Sequence, residues 1–289
     1  MSAAQEMVLD EGQFTGARVR KIVWRSWSPA GEEPLKAVVT LAHGYGEHSG
    51  RYEYVASRLT AEGYAVYAPD HNAHGRSGGK RGRVSLTGAI TDLNQMIVRV
   101  SIARHPDLPQ FLLGHSMGGA IALRYAIAHQ DRLTGLVVSA PLAAVDGGAA
   151  LKAVGKVLGV VLPGTPVGRV DPHLVSRSQA VVDDYIADPL NYHGPIPAGV
   201  GRQFLLSAES LPNDVRQIKL PTILLWGTAD RLCPPRGAEA VAANIGSSDF
   251  TKKTYEGLFH EILNEPEKDH VLDEIVAWLA SHLPATAAS

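Results

Sequence analysis

The chain contains a single cysteine in 289 residues, Cys233, so no disulfide can form within it. Neither sign of charge dominates, because 27 Lys and Arg residues stand against 29 Asp and Glu residues. No long block of like charge occurs, which argues against the basic stripe of a nucleic-acid-binding protein and against an acidic tail. We therefore expect no nucleic-acid partner.

Long hydrophobic runs are also scarce. The longest lipid-like run, residues 149–162, is interrupted by two lysines and two glycines and is too short to span a bilayer. The first six residues lack the basic and apolar parts of a signal peptide. We expect a cytoplasmic protein, although the run at 149–162 still has the composition of a helix that lies on a membrane surface.

The most informative stretch is residues 111–123, where an apolar strand pattern, a sharp turn and a helical pattern follow one another. The turn has the pattern G-x-S-x-G, with Ser116 between Gly114 and Gly118. In such a turn the serine hydroxyl is exposed at a strained corner, and a side chain at either glycine would collide with neighbouring backbone. This predicts Ser116 as a nucleophile, and an ordinary strand-to-helix turn is the alternative.

A second match to the pattern surrounds Ser77, between Gly75 and Gly79. No strand directly precedes it, and the surrounding run is polar and rich in glycine. We therefore expect Ser77 to lie in a loop.

The chain alternates short apolar runs with helical patterns, which predicts an α/β fold with a mostly parallel central sheet flanked by helices. The expected strands lie at 18–24, 36–41, 64–68, 111–113, 136–139, 222–226 and 250–255, and the expected helices lie near 54–62, 90–97, 117–127, 238–243 and 270–283. The alternation stops between them at 142–219. We predict a core formed by residues 1–141 and 220–289, with an inserted cap, or lid, at 142–219.

A serine hydroxyl needs a base, and the base needs an acid that holds its tautomer. Asp230 follows the strand 222–226 through a short turn, whereas the other candidate acids fall in the cap or the last helix. His260 lies in a loop just after the last strand, whereas His270 and His282 fall in or beside the final helix. These positions predict a Ser116, Asp230, His260 triad. A turn or helix-cap aspartate and a solvated loop histidine are the alternatives.

The tetrahedral intermediate of ester hydrolysis requires N–H donors around its oxyanion. We expect one from the backbone of Met117, directly after the nucleophile. The second is expected from Tyr45, in the glycine-flanked turn that follows the strand 36–41. A plain tight turn is the alternative for that segment.

Several of these segments together resemble the monoacylglycerol lipases of the α/β-hydrolase fold. They are HGYGEHSGRY at 43–52, GHSMGG at 114–119, YIADPL at 185–190, GTADRL at 227–232 and GLFHE at 257–261. The segment GPIPAGVGR at 194–202 most resembles bacterial, in particular mycobacterial, members. The resemblance extends from about residue 36 to residue 283 and implies a serine hydrolase that cleaves monoacylglycerol to glycerol and fatty acid.

The resemblance also implies roles for individual residues. Tyr45 would supply an oxyanion amide, Glu47 and Arg51 would hold the glycerol hydroxyls, and Tyr185 would reach the same polar end. No metal and no organic cofactor are implied, and the histidine pairs 43/48 and 71/74 lack an H-E-x-x-H helix or nearby cysteines. One departure is Ala73, which stands where members of the family usually have glycine.

Two further functions remain open from the residues alone. A broader carboxylesterase or lysophospholipase would use the same triad, and a ligand-sensing protein would keep the fold without turnover. The apolar positions of the run 149–162 recur at helical spacing, which predicts a helix that meets lipid or, alternatively, packs on the core. Cys233 lies close to Asp230, so we expect it either to crowd the site when modified or to act as a small buried hydrophobe.

Overall fold

The computed structural model describes residues 7–284; residues 1–6, on which the expectation about a signal peptide depends, lie outside the described residues. Within them the strands are β1 (Met7–Thr15), β2 (Lys21–Pro29), β3 (Ala37–Ala42), β4 (Tyr64–Pro69), β5 (Gln110–His115), β6 (Gly135–Ser139), β7 (Pro166–Gly168), β8 (Ile196–Pro197), β9 (Thr222–Gly227) and β10 (Phe250–Tyr255). The helices are α1 (Glu53–Ala61), α2 (Leu86–Gln95), α3 (Met117–His129), α4 (Ala149–Val161), α5 (Gln179–Ala187), α6 (Ala198–Asp214), α7 (Pro235–Asn244) and α8 (Lys268–Ser281). A π-helical turn, Met96–Ile102, continues α2.

One sheet contains eight of the strands found in residues 7–284, in the order β1-β2-β4-β3-β5-β6-β9-β10. Strand β2 is antiparallel to β1 and β4, and the neighbours from β4 to β10 are parallel. The predicted α/β fold with a mostly parallel sheet is therefore confirmed.

The first predicted strand was wrong in its position. Residues 17–19 form the turn between β1 and β2, with Arg18 and Val19 both at positive φ, so the strand expected at 18–24 begins at Lys21. Strand β1 was not predicted at all. It is an edge strand whose side chains are mostly exposed, so its sequence carries little of the apolar alternation that marks a strand.

The central strands are buried on both faces, and their consecutive side chains enter different clusters. Leu112 packs with α2 and α3 on one face, whereas Leu113 packs with α1 and α8 on the other. Leu224 and Leu225 of β9 divide in the same way. This alternation is the geometry of a pleated strand, and it explains why these strands read as continuous apolar runs.

The chain leaves the sheet after β6 and returns to it at β9. Between these strands, α4 packs on α6 at two glycines: a Cβ on Gly155 would lie 3.3 Å from Leu205, and one on Gly159 would lie 2.5 Å from Arg202. Helix α6 in turn contributes Phe204 and Leu211 to the core cluster beside α3. In the described part of the chain, no helix combines the length and the apolar character needed to cross a membrane.

Candidate active site

Ser116 lies at the corner between β5 and α3, with φ 56° and ψ −120°. This left-handed conformation is strained for a residue with a side chain. A Cβ on Gly114 would overlap the Gly118 carbonyl oxygen, and a Cβ on Gly118 would overlap the Ala42 carbonyl oxygen. The predicted reason for both glycines is thus confirmed, and the close approach of α3 to β3 and β5 holds the serine at the corner.

The Ser116 hydroxyl contacts the thiol of Cys233, with 3.8 Å between Oγ and Sγ. Its backbone is fixed by the Ser116 N–H, which donates to the Ser139 carbonyl at 3.0 Å. Ser116 and His260 line the same cavity. Among the hydrogen bonds of residues 7–284 there is none between these two side chains, and such contacts in ligand-free enzymes often tighten only when substrate binds.

Asp230 and His260 are brought together from the ends of β9 and β10. The Nδ1–H of His260 donates to Asp230 Oδ2 at 2.7 Å. The other oxygen, Asp230 Oδ1, accepts from the N–H groups of Leu232 and Cys233, each at 2.8 Å. From the sequence, a turn aspartate and a partner of His260 were alternative roles for Asp230. In the structure Asp230 has both, because Oδ1 accepts the turn hydrogen bonds and Oδ2 accepts from His260.

The electrostatics around His260 favour its charged form. Burial would lower the pKa of His260, but the Asp230 carboxylate, with smaller contributions from Glu261 and Glu47, outweighs burial, and the pKa lies above the ordinary value of 6.5. The neighbouring ring of His115 has its centroid 4.7 Å from that of His260. Burial and the charge of His260 lower the pKa of His115 to about 3, so this second imidazole stays neutral.

The serine and the histidines that were weighed against Ser116 and His260 lie in other parts of the structure. Ser77 lies in the loop after β4, where its hydroxyl accepts from the Val23 N–H at 2.9 Å and donates to the Asp70 carbonyl at 2.7 Å. The expected loop position of Ser77 is confirmed, and its hydroxyl links this loop to β2 through these hydrogen bonds. His282 stacks on Trp278 beyond the end of α8, and His270 lies within α8 against Tyr255.

Two backbone N–H groups near the serine have no acceptor among the described residues. One belongs to Met117 at the first position of α3, and the other to Tyr45 in the loop after β3. The Tyr45 side chain is fixed, since its hydroxyl donates to the Gly82 carbonyl at 2.9 Å and its ring meets Phe204 edge to face. Both residues line the cavity of Ser116.

The loop that carries Tyr45 is held by Glu47. Its Oε1 accepts from the Gly44 N–H at 2.5 Å and from the Tyr52 hydroxyl at 2.7 Å. Its Oε2 accepts from Arg51 at 2.9 Å. The Tyr185 hydroxyl is buried and has no hydrogen-bond partner among residues 7–284. The centroid of its ring lies 4.7 Å from the Arg51 guanidinium.

Sequence reasoning missed two buried carboxylates in the loop after His260. Glu261 pairs with Arg51 and lines the cavity. Glu265 accepts from the N–H groups of Phe259 and Arg177, which ties the histidine loop to the segment between β6 and β9. The spacing HExxNE at 260–265 was the available signal, but acidic residues in a polar loop read as solvated.

Of the two histidine pairs, 43/48 separates in the structure, whereas His71 and His74 stay together. His43, His71 and His74 are buried together, with ring centroids 4.4 Å (43 to 71) and 5.5 Å (43 to 74) apart, and burial lowers the pKa of His71 to about 3. His48 lies elsewhere and hydrogen-bonds Asp188 at 2.7 Å.

Ala73 has φ 65°. The loop therefore adopts the left-handed conformation that glycine favours, although this chain has alanine where members of the family usually have glycine.

The serine corner opens into a cavity of about 660 Å³. One end is polar, with Glu47, Tyr185 and Glu261. The remainder is lined mainly by apolar side chains from the segment between β6 and β9 and from the Cys233 loop; these include Leu142, Val145, Leu151, Val154, Leu158, Val167, Val170, Leu174, Ile196, Phe204 and Leu205. The lining also includes six charged residues, namely Asp146, Lys152, Arg169, Asp171, Arg202 and Arg231. A cavity with a polar end and a mainly apolar remainder suits an amphiphilic ligand.

A mostly parallel sheet with a strained serine corner at the carboxyl end of a central strand is the α/β-hydrolase fold. Residues 33–267 match the family described as serine aminopeptidase, S33. A monoacylglycerol lipase of Mycolicibacterium smegmatis is 40% identical over 94% of this chain and 98% of its own length. The human monoglyceride lipase is 38% identical over 91% of this chain and 88% of its own.

A solved structure agrees with these relatives. The monoacylglycerol lipase of Paleococcus ferrophilus superposes with a TM-score of 0.78 at 33% identity, covering 95% of this chain and 99% of that one. The chain belongs to this hydrolase family and, within it, to the monoacylglycerol lipases. The predicted resemblance, including its mycobacterial character, is confirmed.

Proposed function

We propose that this protein is a serine hydrolase that cleaves monoacylglycerol to glycerol and free fatty acid through an acyl-enzyme on Ser116. The observation that carries the proposal is the strained serine corner opening into the same cavity as His260, whose Nδ1–H is held by Asp230. The similarity to monoacylglycerol lipases over nearly the whole chain supports the substrate.

In the acylation step, the Ser116 hydroxyl turns from Cys233 toward His260 Nε2. This nitrogen is the free base, because Nδ1 carries the proton that Asp230 holds. His260 takes the serine proton as Oγ attacks the ester carbonyl, and the N–H groups of Tyr45 and Met117 donate to the oxyanion. The intermediate collapses when His260 protonates the departing glycerol oxygen.

Deacylation repeats these steps with water as the nucleophile. His260 takes a proton from the water, hydroxide attacks the acyl carbonyl, and Ser116 leaves with that proton. The fatty acid is then free. The chemistry uses only side chains and amides already described, so it calls for no cofactor.

The segment 142–219 serves as the cap in this proposal. It supplies most of the apolar lining of the cavity, which suits an acyl chain. Helix α4 also exposes five apolar side chains, each at least 62% accessible: Leu151, Val154, Val157, Val160 and Val161. Of these, Leu151 and Val154 also line the cavity, whereas the three valines at 157, 160 and 161 do not. With Lys152 and Lys156 beside them, this face has the composition of a helix that rests on a membrane surface.

The experiment that tests the function measures steady-state hydrolysis of a monoacylglycerol, a diacylglycerol and a lysophospholipid that share one acyl chain. Monoacylglycerol should give the highest kcat/KM. Similar values for all three would favour a broader carboxylesterase or lysophospholipase. A fluorophosphonate adduct on Ser116 without turnover of any ester would favour a ligand-sensing protein and overturn the proposal.

A further inference from the structure

The guanidinium of Arg51 lies between two buried carboxylates. It is bidentate to Glu261, with distances of 2.6 Å and 2.8 Å, and its Nη1 also contacts Glu47 Oε2 at 2.9 Å. Glu47, Glu261 and Tyr185 are among the residues that line the cavity, whereas Arg51 is not. The polar end of the cavity therefore presents carboxylate oxygens and a phenol to a ligand, while the Arg51 guanidinium is engaged by the two carboxylates.

Glu261 and Glu47 each keep one hydrogen-bond acceptor site that no described residue uses. A carboxylate has about four lone-pair sites. Glu261 uses three, two for Arg51 and one for the Asn264 amide at 2.9 Å, which leaves one site on Oε1. Glu47 uses two on Oε1 and one on Oε2, which leaves one on Oε2. Tyr185 lines the same cavity, its ring centroid lies 4.7 Å from the Arg51 guanidinium that both carboxylates bind, and its buried hydroxyl has no partner among the described residues.

The charge of this cluster is never positive. Burial would raise the pKa of Glu261, but Arg51 outweighs it and lowers that pKa to about 2, so Glu261 is ionised. Burial raises the pKa of Glu47 against the opposing effect of Arg51. Arg51 is the only cation in ion-pair contact with either carboxylate in the described chain. The net charge is therefore zero or −1, according to the state of Glu47.

We propose that Glu261 is a specificity residue, which with Glu47 and Tyr185 accepts the two hydroxyls of the glycerol leaving group and excludes leaving groups that carry phosphate. Two open acceptors and one hydroxyl match a vicinal diol. A phosphate of charge −1.5 to −2 finds no free donor of positive charge there and faces a buried carboxylate. The inference rests on the proposed function, because it assigns this end of the cavity to the departing alcohol.

The native enzyme provides the first test. Hydrolysis is compared for a 1-acylglycerol and for the same 1-acylglycerol bearing a 3-phosphate, both below their aggregation concentrations. We expect kcat/KM for the phosphate to be at least about 100-fold lower. Four other cations line the cavity, namely Lys152, Arg169, Arg202 and Arg231. Equal rates would mean that such a cation accepts the phosphate, which would overturn the exclusion.

The variant Glu261→Gln provides the second test, since it keeps the shape and removes the charge. We expect kcat/KM for 1-acylglycerol to fall about 10- to 100-fold, as for loss of a hydrogen bond to a charged group. Hydrolysis of p-nitrophenyl butyrate, whose leaving group has no diol, should stay within about threefold. The ratio of phosphate to neutral substrate should rise at least about tenfold.

Glu256→Gln is the matched control, because Glu256 is an exposed carboxylate in the same loop, and we expect it to change none of these values. If Glu261→Gln lowered kcat/KM equally for 1-acylglycerol and p-nitrophenyl butyrate, Glu261 would have only a structural role, and the inference would be overturned. If that variant does not fold, the comparison on native enzyme still decides whether phosphate is excluded, and Glu261→Asp, which keeps the charge and shortens the side chain, tests the residue. A native enzyme that cleaves p-nitrophenyl butyrate but no monoacylglycerol would instead refute the proposed function.

Discussion

The thiol of Cys233 lies 3.8 Å from the hydroxyl of Ser116, so a group added to the sulfur would lie beside that hydroxyl. Burial raises the pKa of this thiol well above its ordinary value, with a further contribution from Asp230. The thiolate is therefore scarce at neutral pH, and modification should be slow.

The first prediction concerns this thiol. Complete labelling with a small methanethiosulfonate should abolish hydrolysis, at a rate that increases with pH up to at least 9. The checks are a mass spectrum of the labelled protein and an ester assay. Cys233→Ala should remain active and resist the reagent. Full activity after complete labelling would show that the cavity accommodates the added group.

The second prediction separates the two serines that share the G-x-S-x-G pattern. Ser116→Ala should lower kcat by roughly a million-fold while leaving the melting temperature nearly unchanged. Ser77→Ala removes hydrogen bonds to Val23 and Asp70 and should cost about 1 to 3 kcal/mol in the free energy of unfolding. Its kcat should stay close to that of the native enzyme. Loss of turnover in Ser77→Ala at a temperature where it is folded would contradict this assignment.

The third prediction is a pH dependence. His260 must be neutral to act as a base, and its pKa lies above 6.5, so kcat/KM should rise with pH and reach half its maximum above pH 6.5. Asp230→Asn removes the largest of the charges that raise this pKa. The half-maximum should move to lower pH, and kcat should fall by about 10⁴-fold. An unchanged midpoint in that variant would show that Asp230 does not set the pKa.

The fourth prediction concerns the outer face of α4. Val157, Val160 and Val161 are 63%, 63% and 67% exposed and do not line the main cavity. Serine at all three positions should lower hydrolysis of vesicle-borne long-chain monoacylglycerol at least about tenfold and leave a soluble short-chain ester unaffected. Val8→Ser with Leu9→Ser, on the edge strand, is the matched control. Equal losses on both substrates would show that this face of α4 has no role at the membrane.

The fifth prediction concerns backbone strain in the loop after β4. Ala73→Gly relieves about 1 kcal/mol of left-handed strain but adds a similar entropy to the unfolded chain, so stability should change by less than about 0.5 kcal/mol. Gly75→Ala would place a methyl group onto the Asp70 carboxylate at φ 48° and should cost more than about 1 kcal/mol. Urea denaturation measures both. A destabilised Ala73→Gly would indicate that the methyl group fills needed space.

Much of the fold could be predicted because its central strands are buried on both faces and read as apolar runs. The strand before Ser116 is an example, since all of its residues are buried. Strand β1 escaped prediction because an edge strand with exposed side chains has no such run. The role of Asp230 was ambiguous for a different reason: its local turn is visible in sequence, whereas its bond to His260 joins residues 30 positions apart.

The sequence by itself determined the serine corner, since a strained turn needs glycines at fixed offsets and these are local. It also determined the order of Ser116, Asp230 and His260 along the alternating strands and helices. Only the tertiary structure decided that Arg51 turns its charge toward Glu261, 210 positions away, and leaves carboxylates facing the cavity. Pairing between buried charges depends on which loops meet at the sheet edge, and no spacing along the chain encodes that meeting.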